Sequence, residues 1–170
     1  MKISKQTRGV RNNNFGNIRK SFPLWKGELR VSDSPEHKFC VFISYEYGIR
    51  ALYKLLCTYI RKYGLNTVPE IINRYAPASE NNTRSYIQFV DDREPFPQIS
   101  TDGLSILYLM SAICEYESEV EISPEEIRVI LVNFGLMESL QRDLFASKPV
   151  VKVVESDLTM SNILNGNKYV

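Results

Sequence analysis

Two polar clusters in the sequence carry side chains that could recognise a carbohydrate. The first is RNNNFGNIR at residues 11–19, followed by Trp25, and the second is YAPASENNT at residues 75–83. Side-chain amides offer a donor and an acceptor together to sugar hydroxyl and acetamido groups, and an indole can stack on a sugar face. The same compositions also suit plain turns, because Asn and Gly tolerate left-handed backbone, and a single tryptophan is more often a core residue. Both interpretations stay open at this point.

The third cluster is acidic and contains a candidate general acid, Glu117. It lies within EYESEVEISPEE at residues 115–126, where a strongly apolar segment ends. The negative end of a helix dipole, the neighbouring carboxylates and any burial would all raise the pKa of Glu117. A carboxylic acid that stays protonated near neutral pH is what protonates a leaving oxygen in glycoside cleavage. The alternative is a solvated acidic helix end.

Apolar spacing and capping residues predict the elements that position these clusters. Apolar residues at helical spacing predict a helix from Ser44 to Tyr63 that ends at Gly64. Capping boxes at Thr67 and Ser123 predict two more helix starts. The full set of predicted helices is 44–63, 67–74, 82–90, 104–117 (capped by Thr101 or Asp102), 123–134 and a further one to 145, with strands at 38–43 and 149–154 and a polar tail at 155–170. The predicted fold class is mainly α (α+β), with a small β portion near the N-terminus.

Composition limits the kinds of protein this chain can be. With 170 residues, 44% of them hydrophobic, it can bury a core, and no apolar run is long enough for a membrane span. The N-terminus has no apolar stretch typical of a secretory signal. Three distant cysteines and one histidine predict neither a disulfide framework nor a metal site, and no cofactor is predicted. The predicted domains are 1–145, which carries all three clusters, and 146–170.

The near-neutral net charge hides an uneven distribution. Residues 1–62 hold 13 lysines and arginines against 4 acidic residues, whereas residues 63–170 hold 8 against 16. A basic half fits nucleic acid, an anionic polymer such as a cell-wall glycan, or charge pairing with the acidic half. No basic run is dense enough to favour nucleic acid first.

The clusters also carry a resemblance to a family of bacteriophage proteins, often labelled virion structural proteins. Residues 8–19, RGVRNNNFGNIR, resemble the family opening RGIRNNNPGNIR. Further matches follow in order to about residue 135: Trp25 and Gly27, Phe39 and Phe42, GIRA at 48–51, YAP at 75–77, EN at 80–81, Tyr86, and AI followed by Glu117. Two departures are Phe15 in place of Pro, and Ser118-Glu119 in place of Asn-Gly.

This family pattern is in turn similar to cell-wall glucosaminidases and other lysozyme-like enzymes. In those enzymes the helix that ends in the catalytic Glu precedes the Asn-rich segment, whereas here it follows. The resemblance therefore implies a lysozyme-like helical domain that is circularly permuted, a rearrangement that neighbouring chain ends permit.

The resemblance implies a peptidoglycan-cleaving enzyme of phage origin: a muramidase, lytic transglycosylase or glucosaminidase with a single Glu acid. Glu117 is expected to be that acid, and Tyr75 is expected to stabilise the cationic transition state or orient a water. The predicted substrate-binding residues are Asn14, Phe15, Gly16, Asn17, Trp25, Glu80 and Tyr86. Glu80 and Asp91 are available as further carboxylates, but neither is assignable as a second catalytic group.

The expected partners are peptidoglycan glycan strands and, as a further option, other virion proteins. We expect a protein made in the cytoplasm without a signal peptide and then virion-associated or acting at the cell wall. The Ser118-Glu119 departure motivates the alternative of a non-catalytic virion structural or wall-binding protein with the same fold. Nucleic-acid binding through residues 1–62 is the third hypothesis.

Overall fold

The computed structural model describes residues 1–3, 6–30 and 38–138, and within them the fold is mainly helical. The helices are α1 (Arg8–Arg11), α2 (Tyr45–Tyr63), α3 (Val68–Tyr75), α4 (Thr83–Asp91), α5 (Leu104–Ser118) and α6 (Pro124–Asn133). Two short strands, β1 (Lys2–Ile3) and β2 (Val120–Glu121), pair antiparallel. The described elements belong to one compact unit, residues 1–139. The predicted mainly helical class is therefore confirmed.

Helix α5 forms the centre of the core because it is apolar on several sides. Ile106, Leu109, Met110 and Ile113 are fully buried, and α5 packs against α1, α2, α4 and α6. Burying such side chains stabilises the fold by roughly 1.5–3 kcal/mol each. This packing on four sides fixes the C-terminal end of α5, which carries Glu117, within the fold.

Most predicted helix boundaries are confirmed, and their local causes are visible. Gly64 ends α2 in a left-handed conformation with φ 69°. Thr67 with Glu70, and Ser123 with Glu126, form the two predicted capping boxes. The side chain of Asn82 caps α4 by accepting from the Ser85 amide.

The predicted cap of α5 was wrong. The N-cap is Gly103, not Thr101 or Asp102. The Thr101 hydroxyl accepts hydrogen bonds from Arg61 Nε and Nη2 at 3.1 and 2.8 Å. It thus serves a tertiary contact that local capping rules do not consider.

The strand predicted at 38–43 is not a regular strand in the structure. It forms isolated bridges between Phe39 and Arg19 and between Phe42 and Glu28. Because Phe39 and Phe42 pair with different loop segments, neither pairing extends to a second pair of residues. The β pairing that does occur, β1 with β2, was not predicted, and neither was the short helix α1.

Several predictions lie at or beyond the limits of the described residues. Residues 136–138 are not helical, and the rest of the helix predicted to end at 145, the strand at 149–154, and the tail and second domain at 146–170 lie outside. Among the described helices, none is both long and apolar enough to span a membrane.

Candidate functional site

A cleft of about 440 Å³ lies where α5, α3 and the Asn-rich segment meet. Three of the predicted site residues come to it from distant parts of the chain: Asn17 after α1, Tyr75 at the end of α3, and Glu117 near the end of α5. Trp25 and Glu80 also line it. The fold therefore brings all three polar clusters to one cleft.

The Asn-rich segment is a tight turn held from within. Asn13 and Asn17 have positive φ, 52° and 49°, as expected of asparagines in a tight turn. The buried Asn14 amide donates to the carbonyls of Ile18 and Cys40, both at 3.0 Å, and its Oδ1 accepts from the Ile18 amide at 2.9 Å. With its side chain satisfied in this way, Asn14 shapes the turn and does not line the cleft.

The end of α5 contacts this turn through hydrogen bonds and through a close approach of the two backbones at Gly9. Ser118 Oγ donates to the Phe15 carbonyl at 2.8 Å, and Thr7 Oγ1 donates to the Ser118 carbonyl at 2.9 Å. A Cβ on Gly9 would lie 1.7 Å from Ser118 Oγ and 2.8 Å from the Asn14 carbonyl. Glycine at position 9 is therefore what lets the turn reach α5, and Ser118 has a structural role.

Glu117 is held by Asn17 within the cleft. Asn17 Nδ2 donates to both the Glu117 backbone carbonyl, at 2.8 Å, and Oε2, at 3.0 Å. Arg8 Nε donates to Asn17 Oδ1 at 3.2 Å, which fixes which way the amide points. The Glu117 carboxyl group is therefore oriented by a chain of two side chains that starts at Arg8.

Burial raises the pKa of Glu117 above its ordinary value. The hydrogen bond from Asn17, the nearby Tyr86 hydroxyl and the charges of Arg8 and Arg19 oppose this rise without cancelling it. The direction is the predicted one, and burial, one of the three causes considered, is the largest contribution.

Tyr86 supports Glu117 from the protein side. Its ring is buried and stacks on Tyr116, with centroids 3.7 Å apart and an interplanar angle of 14°. Its hydroxyl lies close enough to Glu117 to lower the pKa of that carboxyl group, against the effect of burial. The hydroxyl has no hydrogen-bond partner of regular geometry among the described residues. Tyr86 does not line the cleft.

Tyr75 connects α3 to the Asn-rich turn. Its hydroxyl donates to the Gly16 carbonyl. A Cβ at Gly16 would lie 2.7 Å from that hydroxyl oxygen, so glycine is needed for the contact. Burial, followed by the Glu117 charge, raises the pKa of Tyr75 well above its usual value, and the phenol keeps its proton.

The predicted substrate-binding residues therefore fall into two groups. Asn17, Trp25 and Glu80 line the cleft, as do Glu117 and Tyr75. Asn14, Phe15 and Tyr86 are buried, with Phe15 stacked on Tyr45 at 5.5 Å, and Gly16 is buried in the turn. These four support the cleft from behind, because the turn packs its side chains inward.

The sequence analysis missed the basic and aromatic residues of the cleft, which include Arg8, Arg19, Lys20, Arg74, Phe39 and Tyr59. The guanidinium carbon of Arg8 lies 3.6 Å from the centroid of the Phe39 ring. Arg19 forms an ion pair with Glu80, and both residues line the cleft. The available signal was the excess of positive charge in residues 1–62. Among the described residues, no group of three or more His, Cys, Asp or Glu side chains could hold a metal ion.

The sequence is similar to that of a bacteriophage protein. That protein is Protein P5 of Pseudoalteromonas phage PM2, with 39% identity over 99 residues. The matched segment covers 56% of this chain and 61% of the phage protein, so it spans less than two thirds of that protein's length. No protein family model matches the sequence. The expected relationship to phage proteins is thereby confirmed, whereas the lysozyme-like assignment stays a prediction.

Proposed function

We propose that this protein cleaves the β-1,4-linked backbone of peptidoglycan, with Glu117 as the general acid. The observation that carries the proposal is the meeting of Glu117, Asn17, Tyr75 and Trp25 in one cleft. In it, the carboxyl group is both oriented by Asn17 and shifted toward its protonated form. That combination of position and raised pKa suits proton donation to a leaving sugar oxygen.

The proposed reaction begins with proton transfer from Glu117 to the glycosidic oxygen. The C1–O bond breaks, its electron pair stays on that oxygen, and positive charge develops on the sugar ring. Water or the substrate's own hydroxyl group then attacks C1 and gives its proton to the Glu117 carboxylate. If the acetamido oxygen attacks first, the resulting oxazolinium ring is opened by water, and that water supplies the proton.

A single-carboxylate mechanism fits the charges of the cleft. The second carboxylate that lines it, Glu80, is paired with Arg19, and Asp91 is not among the lining residues. Tyr75 lines the cleft and keeps its proton. We assign to this neutral side chain the stabilisation of the cationic transition state.

The proposed circular permutation is supported by how the chain begins. Strand β1 pairs with β2 directly after α5, so the N-terminal segment lies beside the end of the helix that carries Glu117. In an unpermuted lysozyme-like chain the Glu helix leads directly into the Asn-rich segment. Here the same neighbours are joined by strand pairing and by the contacts of Gly9 with Ser118.

The test is release of soluble fragments from purified peptidoglycan by the full chain. Glu117→Gln should reduce release by at least about a hundredfold, since general acid catalysis contributes about 10²–10⁴-fold. Glu94→Gln is the matched control, because Glu94 is a second buried carboxyl group outside the cleft, and it should release fragments like the wild type. Equal release by Glu117→Gln and wild type, with unchanged melting curves, would refute the catalytic role.

The second candidate is a non-catalytic phage virion or wall-binding protein that keeps the same cleft. The similarity to a protein of phage PM2 favours it, because it points to a phage role without indicating an activity. This candidate predicts that wild type and Glu117→Gln co-sediment with peptidoglycan alike and that neither releases fragments.

A further inference from the structure

The cleft carries more positive than negative side chains. Its lining contains four basic residues, Arg8, Arg19, Lys20 and Arg74, against two carboxyl groups, those of Glu80 and Glu117. Arg19 is matched by Glu80, and Arg8 is held by Asn17 and the Phe39 ring. Within residues 1–3, 6–30 and 38–138, Lys20 and Arg74 have no ion-pair partner.

Arg74 packs on aromatic rings, and no carboxylate among the described residues pairs with it. Its guanidinium carbon lies 3.8 Å from the centroid of the Tyr63 ring and 5.0 Å from that of Tyr59. These aromatic contacts support the planar group by its face. A guanidinium held by its face can still use the N–H groups at its edge for two parallel hydrogen bonds to one carboxylate.

We propose that the cleft takes a negatively charged glycan and that Arg74 is the subsite for a carboxylate carried by the sugar chain. Within peptidoglycan, that carboxylate is the lactyl or peptide substituent of the muramic acid residue. The proposal rests on the proposed function only in taking the ligand to be a cell-wall glycan, and it does not require catalysis.

The arrangement favours a glycan over a nucleic acid. A nucleic acid carries a phosphate on every nucleotide, and some of these would face the two carboxyl groups of the cleft. A glycan with a carboxylate on alternate sugars can place its charge at Arg74 and a neutral sugar at Glu117. Arg74, packed on Tyr59 and Tyr63, is one basic group beside the cleft and not a row of them, which suits a sparse charge.

The experiment measures binding to the full chain carrying Glu117→Gln, so that no substrate is turned over. The probes are a tetrasaccharide of alternating N-acetylglucosamine and N-acetylmuramic acid and the neutral tetramer of N-acetylglucosamine. At low salt the charged probe should bind about tenfold more tightly, and salt should weaken that preference. Adding Arg74→Gln should remove the preference and leave the neutral probe's affinity unchanged. Arg84→Gln, on the exposed face of α4 outside the cleft, should change neither.

Four results would overturn the proposal: equal affinity for both probes, an equal loss for both probes on Arg74→Gln, no binding of either, or tighter binding of a thymidine oligonucleotide than of the charged tetrasaccharide. An equal loss would show that Arg74 is needed only for the shape of the cleft. If the charge preference is found but the wild type releases no fragments, the subsite stands and the proposed catalysis fails.

Discussion

Two carboxyl groups of this protein are partly withdrawn from water, and their surroundings differ. Glu94, in the loop after α4, has its pKa raised to about 7 by burial. Its Oε1 accepts from the Phe96 amide at 3.2 Å, while its Oε2 has no partner of regular hydrogen-bond geometry among the described residues. Glu117 is also shifted upward by burial, but a side-chain amide that is itself oriented by Arg8 binds it.

The backbone around the two groups differs as well. The described non-glycine residues with positive φ are Asn13, Asn17 and Glu119; of these, Asn17 binds the Glu117 carboxyl group and Glu119 lies two residues after Glu117. Residues 91–103 contain none. Asparagine tolerates this conformation, whereas it costs an ordinary residue such as Glu119 about 1–2 kcal/mol and persists where packing enforces it. A raised pKa alone therefore does not define a site; a raised pKa with directed donors, local strain and an open cleft does.

The largest effect that sharpens this comparison is expected from Asn17→Gly. Glycine keeps the left-handed turn but removes the donor to the Glu117 carboxylate. Fragment release should fall by about tenfold or more. Because the lost donor favours the ionised form, the pKa of Glu117 should rise further, and the alkaline limb of the pH–rate profile should move to higher pH.

Asn13→Gly is the matched control for that variant. Asn13 has the same backbone conformation, but its amide donates to the Phe42 carbonyl at 3.0 Å and not to the cleft. It should leave the pH profile in place. An identical shift in both variants would mean that the turn, and not the Asn17 amide, controls Glu117.

The next effect concerns the stability of Glu94→Gln at different pH values. In the folded protein the pKa of Glu94 is about 7, against about 4.3 in an unfolded chain. The native state thus binds the proton more tightly, and the stability that this contributes is lost as pH rises from about 4.3 through 7. The full shift would correspond to a loss of about 2.5 kcal/mol between pH 5 and 8. Because Glu94 is only half-buried, solvent screening reduces this, and the wild type should lose about 1–2 kcal/mol relative to Glu94→Gln.

Thermal or urea unfolding of both proteins at the two pH values measures this loss. If the stability of wild type and variant changes equally with pH, Glu94 ionises in the native state without cost. Its pKa would then not be raised by burial, and Glu94 would no longer resemble Glu117 in that property.

The smallest effect is expected from Glu119→Gly. Glu119 ends α5 at φ 54°, where glycine has no steric penalty. The variant should be stabilised by about 1 kcal/mol, a rise of a few degrees in melting temperature. Glu121→Gly, two residues on in β2, should instead destabilise by about 0.5–1 kcal/mol. Lower stability of Glu119→Gly would show that its side-chain contacts outweigh the backbone strain.

Local sequence signals predicted α2 to α6 and placed Glu117 at the end of the central helix, because caps and apolar spacing act within a few residues. The same signals indicated tight turns at the asparagines. Which side chains of the Asn-rich turn face the cleft could not be predicted, since this depends on the contact of Gly9 with Ser118 and of Tyr75 with Gly16. These partners are remote in sequence, and a pattern of residue types does not specify them.

The basic part of the cleft shows the same limit. The excess of lysine and arginine in residues 1–62 was visible, but Arg74 lies outside that segment and joins Arg8, Arg19 and Lys20 only in the folded chain. The side chain that we propose for carboxylate binding was therefore not a candidate before the fold was known.

The hydrogen bond between Asn17 and Glu117 joins residues 100 positions apart. Contacts this distant in sequence form late and slow the search for the native state, because a long loop must close before they can form. During synthesis, residues 8–19 leave the ribosome well before α5 does. Until the central helix has emerged and docked, the nascent protein has no oriented acid, because the Asn-rich segment is synthesised before the helix that it must contact.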